Sequence, residues 1–166
     1  MFYKDEMMNQ RIYNYSVHLI ARQDYSEYKL RQKLRSKKDN LPHEIDEVLE
    51  ALKSRGLLKE ASYRRLFIRK WMMKGESKDK IRKRGGMEKL NFEDHEFEDV
   101  TKELGFSDED SLEKLMDKKL RMKEIPKDRN ERQKLRDKTL RFLISKGHGF
   151  DEAKRAWNNF LTEKSV

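Results

Sequence analysis

The sequence predicts an all-helical fold built as a tandem repeat of three three-helix, helix-turn-helix-like modules, elongated and curved. Three observations carry this. The chain holds two prolines and seven glycines in 166 residues, and long strings of Lys, Arg, Glu and Leu, which are good helix formers. Alternating runs of Val, Ile and Thr, the mark of a half-buried strand, are absent. Apolar residues recur instead at spacings of three and four, and the breaks between them share their punctuation. Hydrophobic residues make up 35% of the chain and charged residues 43%, against roughly 45–50% and 25% in an ordinary domain. Such a chain cannot fill one thick core, but it can fill several thin ones, as stacked repeats do. The same composition also favours disorder. Eight Phe, six Tyr, two Trp and eight Met at helical spacing argue against that for most of the chain.

The first helix is predicted from Gln10 to Gln23, with Tyr13, Val17, Ile20 and Ala21 on its apolar face. Asp24-Tyr25 breaks it. Ser26 caps a second helix, and Glu27 in its first turn suits the helix dipole. Tyr28, Leu30 and Leu34 are its apolar contacts. Pro42 fits the first turn of a third helix, faced by Ile45, Val48, Leu49 and Leu52 and stopped by Gly56. A fourth runs from Ala61 to Met73 with Tyr63, Phe67, Ile68, Trp71 and Met72. After Gly75-Glu76, Ser77 caps a short helix containing Ile81. From Gly85-Gly86 to Ser111 the boundaries are poorly marked, with Phe92, Phe97, Val100, Leu104 and Phe106 as packing candidates. Leu112, Leu115, Met116, Leu120 and Met122 suggest a further helix before Pro126. The last two are predicted at Arg129–Lys146, with Leu135, Thr139, Leu140, Leu143 and Ile144, and at Phe150–Thr162, with Ala153, Ala156, Trp157, Phe160 and Leu161.

These breaks align as a repeat anchored at Ser26, Ser77 and Gly149. Nine residues before the anchors stand Val17, Ile68 and Leu140; six before, Ile20, Trp71 and Leu143; five before, Ala21, Met72 and Ile144. Four after them stand Leu30, Ile81 and Ala153. Two before the second and third anchors are Gly75 and Gly147, where the first has Asp24. A two- or three-helix unit buries too little alone, so neighbouring copies must stack. The predicted organisation is an N-terminal extension (1–11) and modules at 12–58, 59–111 and 112–166.

Net charge is +9, which suggests a polyanionic partner. Its distribution is uneven. Residues 59–84 hold 11 basic and 3 acidic groups, residues 88–117 hold 3 and 12, and residues 118–146 hold 12 and 4. Two basic blocks therefore flank an acidic one. The absence of cysteine excludes disulfides and thiolate zinc sites. No stretch approaches the roughly 20 apolar residues of a membrane span, and Met1–Glu6 lacks the apolar core of a signal peptide. A cytoplasmic protein without membrane contact is expected.

The run Leu19-Ile20-Ala21-Arg22-Gln23-Asp24-Tyr25-Ser26-Glu27-Tyr28-Lys29-Leu30-Arg31-Gln32-Lys33-Leu34 resembles the opening signature of RecX proteins, regulators of the recombinase RecA. That signature is an apolar helix, an Arg, a short break with Ser-Glu, then Leu-Arg-x-Lys-Leu. Gly56-Leu57-Leu58, Tyr63 through Arg69, and Lys74-Gly75 before Ile81-Arg82 are similar to its second module. Leu140 through Gly147, followed by Ala156-Trp157-Asn158-Asn159-Phe160, are similar to its third. The likeness covers residues 12–84 and 129–161. It departs at Lys83-Arg84-Gly85-Gly86-Met87, where the family usually has a Glu-Leu pair and then Gly-Ile. The resemblance implies a monomer that binds RecA filaments on DNA and lowers recombinase, ATPase and co-protease activity. It also implies weak, sequence-independent binding to single- and double-stranded DNA.

The candidate RecA- and DNA-binding face is basic: Lys29, Arg31, Arg35, Lys38, Arg65, Arg69, Lys74 and Arg82. Arg31, Arg35 and Lys38 are spaced to share a helical face, and such contacts to phosphate are blind to sequence and weaken with salt. The bland reading of the same residues is a solvated surface. Phe67, Trp71, Trp157 and Phe160 sit at core spacing rather than on a stacking platform. The alternative is a DNA-binding protein acting without RecA, either sequence-independent or a helix-turn-helix repressor with Arg31, Gln32 and Arg35 aimed at base edges, though for the latter no dimer element is apparent. No enzyme, cofactor or metal site is expected. His18, His43, His95 and His148 lie far apart, Glu93-Asp94-His95-Glu96 lacks defined ligand geometry, and Gly85-Gly86 is no phosphate loop.

Overall fold

The computed structural model describes residues 8–105 and 108–164. Nine helices lie among them and no strand: α1 Gln10–Arg22, α2 Glu27–Arg35, α3 Pro42–Ser54, α4 Glu60–Met73, α5 Lys78–Met87, α6 Asp94–Leu104, α7 Asp108–Leu120, α8 Arg129–Ser145 and α9 Phe150–Lys164. Phe106 and residues 1–7 of the expected extension lie outside the described residues.

The punctuation behaves as its chemistry requires. Ser26 Oγ accepts the Lys29 N–H at 3.2 Å and so caps α2. Ser77 Oγ accepts the Lys80 N–H at 3.3 Å and does the same for α5. Pro42 opens α3 at a position that needs no donor. Four helices end on a glycine in the left-handed region: Gly56 after α3 (φ +66°), Gly75 after α4 (+74°), Gly105 after α6 (+67°) and Gly147 after α8 (+92°). The ends of α3, α4 and α8 close in the same way. The glycine N–H bonds the carbonyl three residues back, and the next N–H bonds the one five back: Leu57 to Leu52, Glu76 to Trp71, His148 to Leu143. α1, which is followed by Asp24 rather than a glycine, ends on an extended Gln23 instead.

The chain divides into two compact units. The first comprises residues up to Leu66 and Met87–Leu90; the second comprises Phe67–Gly86 and residues from Asn91 onward. In the first, Ile12, Leu30, Leu34, Ile45, Val48, Leu49, Leu52 and Leu58 form a core from α1, α2 and α3. In the second, Leu112, Leu115, Met116 and Leu120 of α7, Leu140 and Leu143 of α8, and Ala153, Trp157 and Phe160 of α9 form another. Ile68, Met72, Ile81, Phe97 and Val100 are buried as well.

Some predicted faces shift. α1 turns Ile12 and Ser16 inward, leaves Tyr13, Val17 and Ile20 half-buried, and exposes Ala21. Ser16 is tolerated there because its hydroxyl donates to the Ile12 carbonyl at 2.8 Å. Ile144 is exposed one residue before α8 ends, and Met122 is exposed beyond the end of α7. α5 runs straight through Gly85-Gly86. Gly85 is buried because the Phe92 ring occupies the space a Cβ would need.

Candidate interaction surfaces

In the first unit the predicted basic residues are largely engaged by the chain's own carboxylates. Lys29 Nζ lies 2.8 Å from Glu88, whose other oxygen accepts the Tyr63 hydroxyl at 2.8 Å. Burial works against the charge on Lys29, but bonds to Glu88 and Tyr63 outweigh it and raise its pKa. Arg31 bridges Glu27, at 3.0 Å, and Asp46. Lys53 adds a second contact to Glu27 at 3.1 Å. Burial opposes the Glu27 charge, yet Arg31 and Lys53 hold its carboxyl below the usual range. Glu60 joins this cluster by accepting the Glu27 backbone N–H at 2.9 Å. Arg35 and Lys38 are exposed. α2 ends at Arg35, so Lys38 falls in the following turn and does not share a helical face with Arg31 and Arg35. Arg65 is exposed on α4.

In the second unit Arg69 lies 3.8 Å from Glu103 of α6. Arg82 pairs with Asp94 at the start of α6 and stands over the Phe97 ring, 4.6 Å from its centroid. With Glu88 on Lys29 in the first unit, these contacts put part of the acidic block on the chain's own basic residues. Lys74 is exposed and lies 4.5 Å from the centre of the Trp71 ring, which also carries Arg84 at 3.9 Å and Lys70 at 5.4 Å. Trp71 is half-buried rather than a core residue like Phe67, Trp157 and Phe160, and its indole N–H has no acceptor among the described residues.

The second unit also brings the turns after α4 and α8 together. Ser77 N–H donates to the Lys146 carbonyl at 2.9 Å, and Lys80 Nζ donates to the Ser145 carbonyl. His148, buried, places Nε2 2.9 Å from the Gly75 carbonyl. A carbonyl only accepts, so Nε2 carries the shared proton. Under this junction the buried Glu76 receives two hydrogen bonds from Arg84, at 2.5 and 2.7 Å, with Lys80 at 3.6 Å. Burial pushes the Glu76 carboxyl up, but Arg84, Lys80 and Lys146 together bring it below the usual range. A mixed-charge cleft of about 620 Å³ opens beside the junction, with Asp79, Glu113 and Glu152 facing Lys78 and Arg155.

The basic block 118–146 is different. Among the described residues, the ion pair it makes is Arg136 with its neighbour Asp137, at 3.5 Å. The others face solvent, bond backbone carbonyls as Arg132 and Arg141 do, or rest on a ring, as Lys119 and Lys146 do on Phe142. Sequence reasoning counted this block but left it out of the candidate face. The signal it lacked was pairing, which no charge count contains.

The sequence matches no protein-family model and no curated protein. Among solved structures the chain is similar to one described as "regulatory protein RecX". The TM-score is 0.65 at 16% identity, over 90% of this chain and 71% of that one. It is likewise similar to RecX from Lactobacillus salivarius, with a TM-score of 0.64 at 19% identity, over 90% of this chain and 94% of that one. The fold is that of RecX. The nine helices among the described residues share that fold over 90% of the chain. At this identity, what is shared with RecX is the path of the backbone, and the side chains on it are this chain's own. Among the described residues no helix is long and apolar enough to cross a membrane, and no three His, Asp or Glu side chains gather to hold a metal ion.

Proposed function

We propose that this chain is a RecX-like regulatory protein that binds RecA filaments on DNA and mainly inhibits them. The observation that carries the reading is the RecX fold over 90% of the chain, together with the residue-level likeness at 12–84 and 129–161. The finer architecture belongs to the same proposal. The nine helices among the described residues group in threes, α1–α3, α4–α6 and α7–α9, close to the modules expected at 12–58, 59–111 and 112–166 but with α7 starting at Asp108, and the matching ends of α4 and α8 and the serine caps of α2 and α5 support that grouping. In this reading the protein is a cytoplasmic monomer without catalytic activity, acting in DNA repair and the SOS response. Its partners are RecA and, weakly, DNA backbone. Arg35, Lys38, Arg65 and Lys74, which are exposed, meet acidic RecA surface or phosphate. Lys29, Arg31, Arg69 and Arg82 join only as members of ion pairs that must loosen first.

The test is retention on RecA filaments preassembled on immobilised single-stranded DNA, compared with the same DNA bare. Preferential retention on filaments at about 150 mM salt is expected. Equal retention on both, collapsing with salt, contradicts the RecA reading and leaves a plain DNA binder.

A further inference from the structure

We propose that the second unit carries a seat for single-stranded nucleic acid on α7 and α8, formed by Lys74, Lys114, Lys118, Lys119, Phe142 and Lys146. It lies outside the face read from the sequence except for Lys74. It deepens the DNA-binding part of the proposed function and rests on that part alone, not on RecA.

The residues meet in two linked places. Lys74 from the end of α4 and Lys114 and Lys118, one turn apart on α7, line one cleft of about 180 Å³ with Met73 and Leu115. One residue further along α7, Lys119 stands 4.4 Å from the centre of the Phe142 ring, and Lys146 approaches the same ring at 5.8 Å. Five cations thus follow one another across α7 to the end of α8. Lys74, Lys118 and Lys119 have no carboxylate partner among the described residues, and Lys146 acts on Glu76 through space without an ion pair. This contrasts with Lys29, Arg31, Arg69 and Arg82, whose charge is already matched.

The chemistry favours nucleic acid over an acidic protein face for two reasons. The cleft is large enough for a phosphate and is lined by lysines from α7 and from the turn after α4, whose ammonium groups bind phosphate as point charges. A half-buried aromatic ring then lies between two further lysines. Cations that track a backbone, interleaved with an aromatic face for a base, are what sequence-blind single-strand binders use. Met73, exposed at the lip of the cleft, adds apolar surface for a base or sugar edge. For a base to reach Phe142, Lys119 must swing from the ring to a phosphate, a movement its flexible stem allows.

The test is fluorescence anisotropy of a labelled 20-nucleotide oligothymidine, titrated from 20 to 200 mM salt, with RecA ATPase measured in parallel. The triple variant Lys118→Gln, Lys119→Gln, Lys146→Gln should bind at least tenfold more weakly. Its log–log salt slope should be shallower by about 2, at roughly 0.7 for each single-strand phosphate no longer neutralised. The matched variant Lys59→Gln, Lys89→Gln, Lys102→Gln removes the same charge from exposed positions elsewhere and should change binding less than twofold. Replacement of the first three lysines by arginine should retain binding and shows that the weaker binding is not a failure to fold. Equal binding by the two glutamine triples overturns the seat, as does a wild-type protein that does not bind the oligonucleotide at 20 mM salt. Loss of RecA inhibition with oligonucleotide binding intact also overturns it, in favour of an acidic protein face. The expected weakening with no wild-type effect on RecA ATPase leaves the seat standing and removes the RecA reading instead.

Discussion

α2 in the first unit and α7–α8 in the second are both dense in Lys and Arg, and they use those charges in opposite ways. On α2, Lys29 and Arg31 are bound to Glu88, Glu27 and Asp46, so positive charge is used in holding helices together. On α7–α8 the cations rest on Phe142, line a cleft, or face solvent, and few meet a carboxylate. The first pattern serves the fold; the second remains open to a partner. Charge runs that read alike in sequence are therefore separated only by the acids that the fold brings to them.

The largest expected effect sharpens the contrast between the units at their glycine turns. Gly147→Ala must place a methyl against Ser77 Oγ and Lys80 in a left-handed backbone, whereas at Gly56 only the far end of Lys59 comes near. Left-handed strain alone costs about 1 kcal/mol; overpacking adds roughly 1–3. Gly147→Ala should destabilise by about 3 kcal/mol and Gly56→Ala by about 1, measured by urea unfolding. Equal effects would mean that the junction of the two turns is not tightly packed.

Next is Glu76 in the second unit, which gathers Arg84 and Lys80 as the carboxylates gather cations around α2. Glu76→Gln should cost about 2 kcal/mol, the scale of a charged hydrogen bond left unmade. The pH dependence has a definite sign. The Glu76 and Glu27 carboxyls lie below their usual range in the folded chain, so their contribution is fully present above the unfolded value of about 4.3. It is lost as pH falls through the lowered folded values. Thermal melts should hold steady from pH 7 to about 5 and then decline. Glu76→Gln should flatten that decline; an unchanged acid profile would remove Glu76 from the account.

The smaller effects test the comparison itself. Arg31→Ala should cost roughly 0.5–1 kcal/mol through its half-exposed pairs. Lys138→Ala on α8, exposed and without a carboxylate partner among the described residues, should fall within about 0.5 kcal/mol of wild type. If Lys138→Ala destabilised as much as Arg31→Ala, the α8 charge would be structural after all.

The helices were readable because their signals are local. Ser26, Pro42, Gly56, Gly75 and Ser77 act within a few residues of themselves, and each stands where its chemistry is used. What escaped depends on residues far apart in sequence. Ile12 and Ser16 displace Val17 and Ala21 because α1 is oriented by its neighbours α2 and α3, and Gly85 is buried inside α5 because the Phe92 ring fills the space a Cβ would need. The basic face was legible as charge but not as available charge. Asp46, 15 residues from Arg31, and Glu88, 59 from Lys29, are invisible partners until the chain is folded.

The central claim, that this RecX fold acts on RecA, is tested most directly by RecA's DNA-dependent ATPase on single-stranded DNA with this protein added well below the RecA concentration. A progressive fall in rate at substoichiometric dose is expected of a protein that caps or destabilises filaments. A fall only near equal dose, matched by an unrelated basic protein, or no fall at any dose, would contradict the claim.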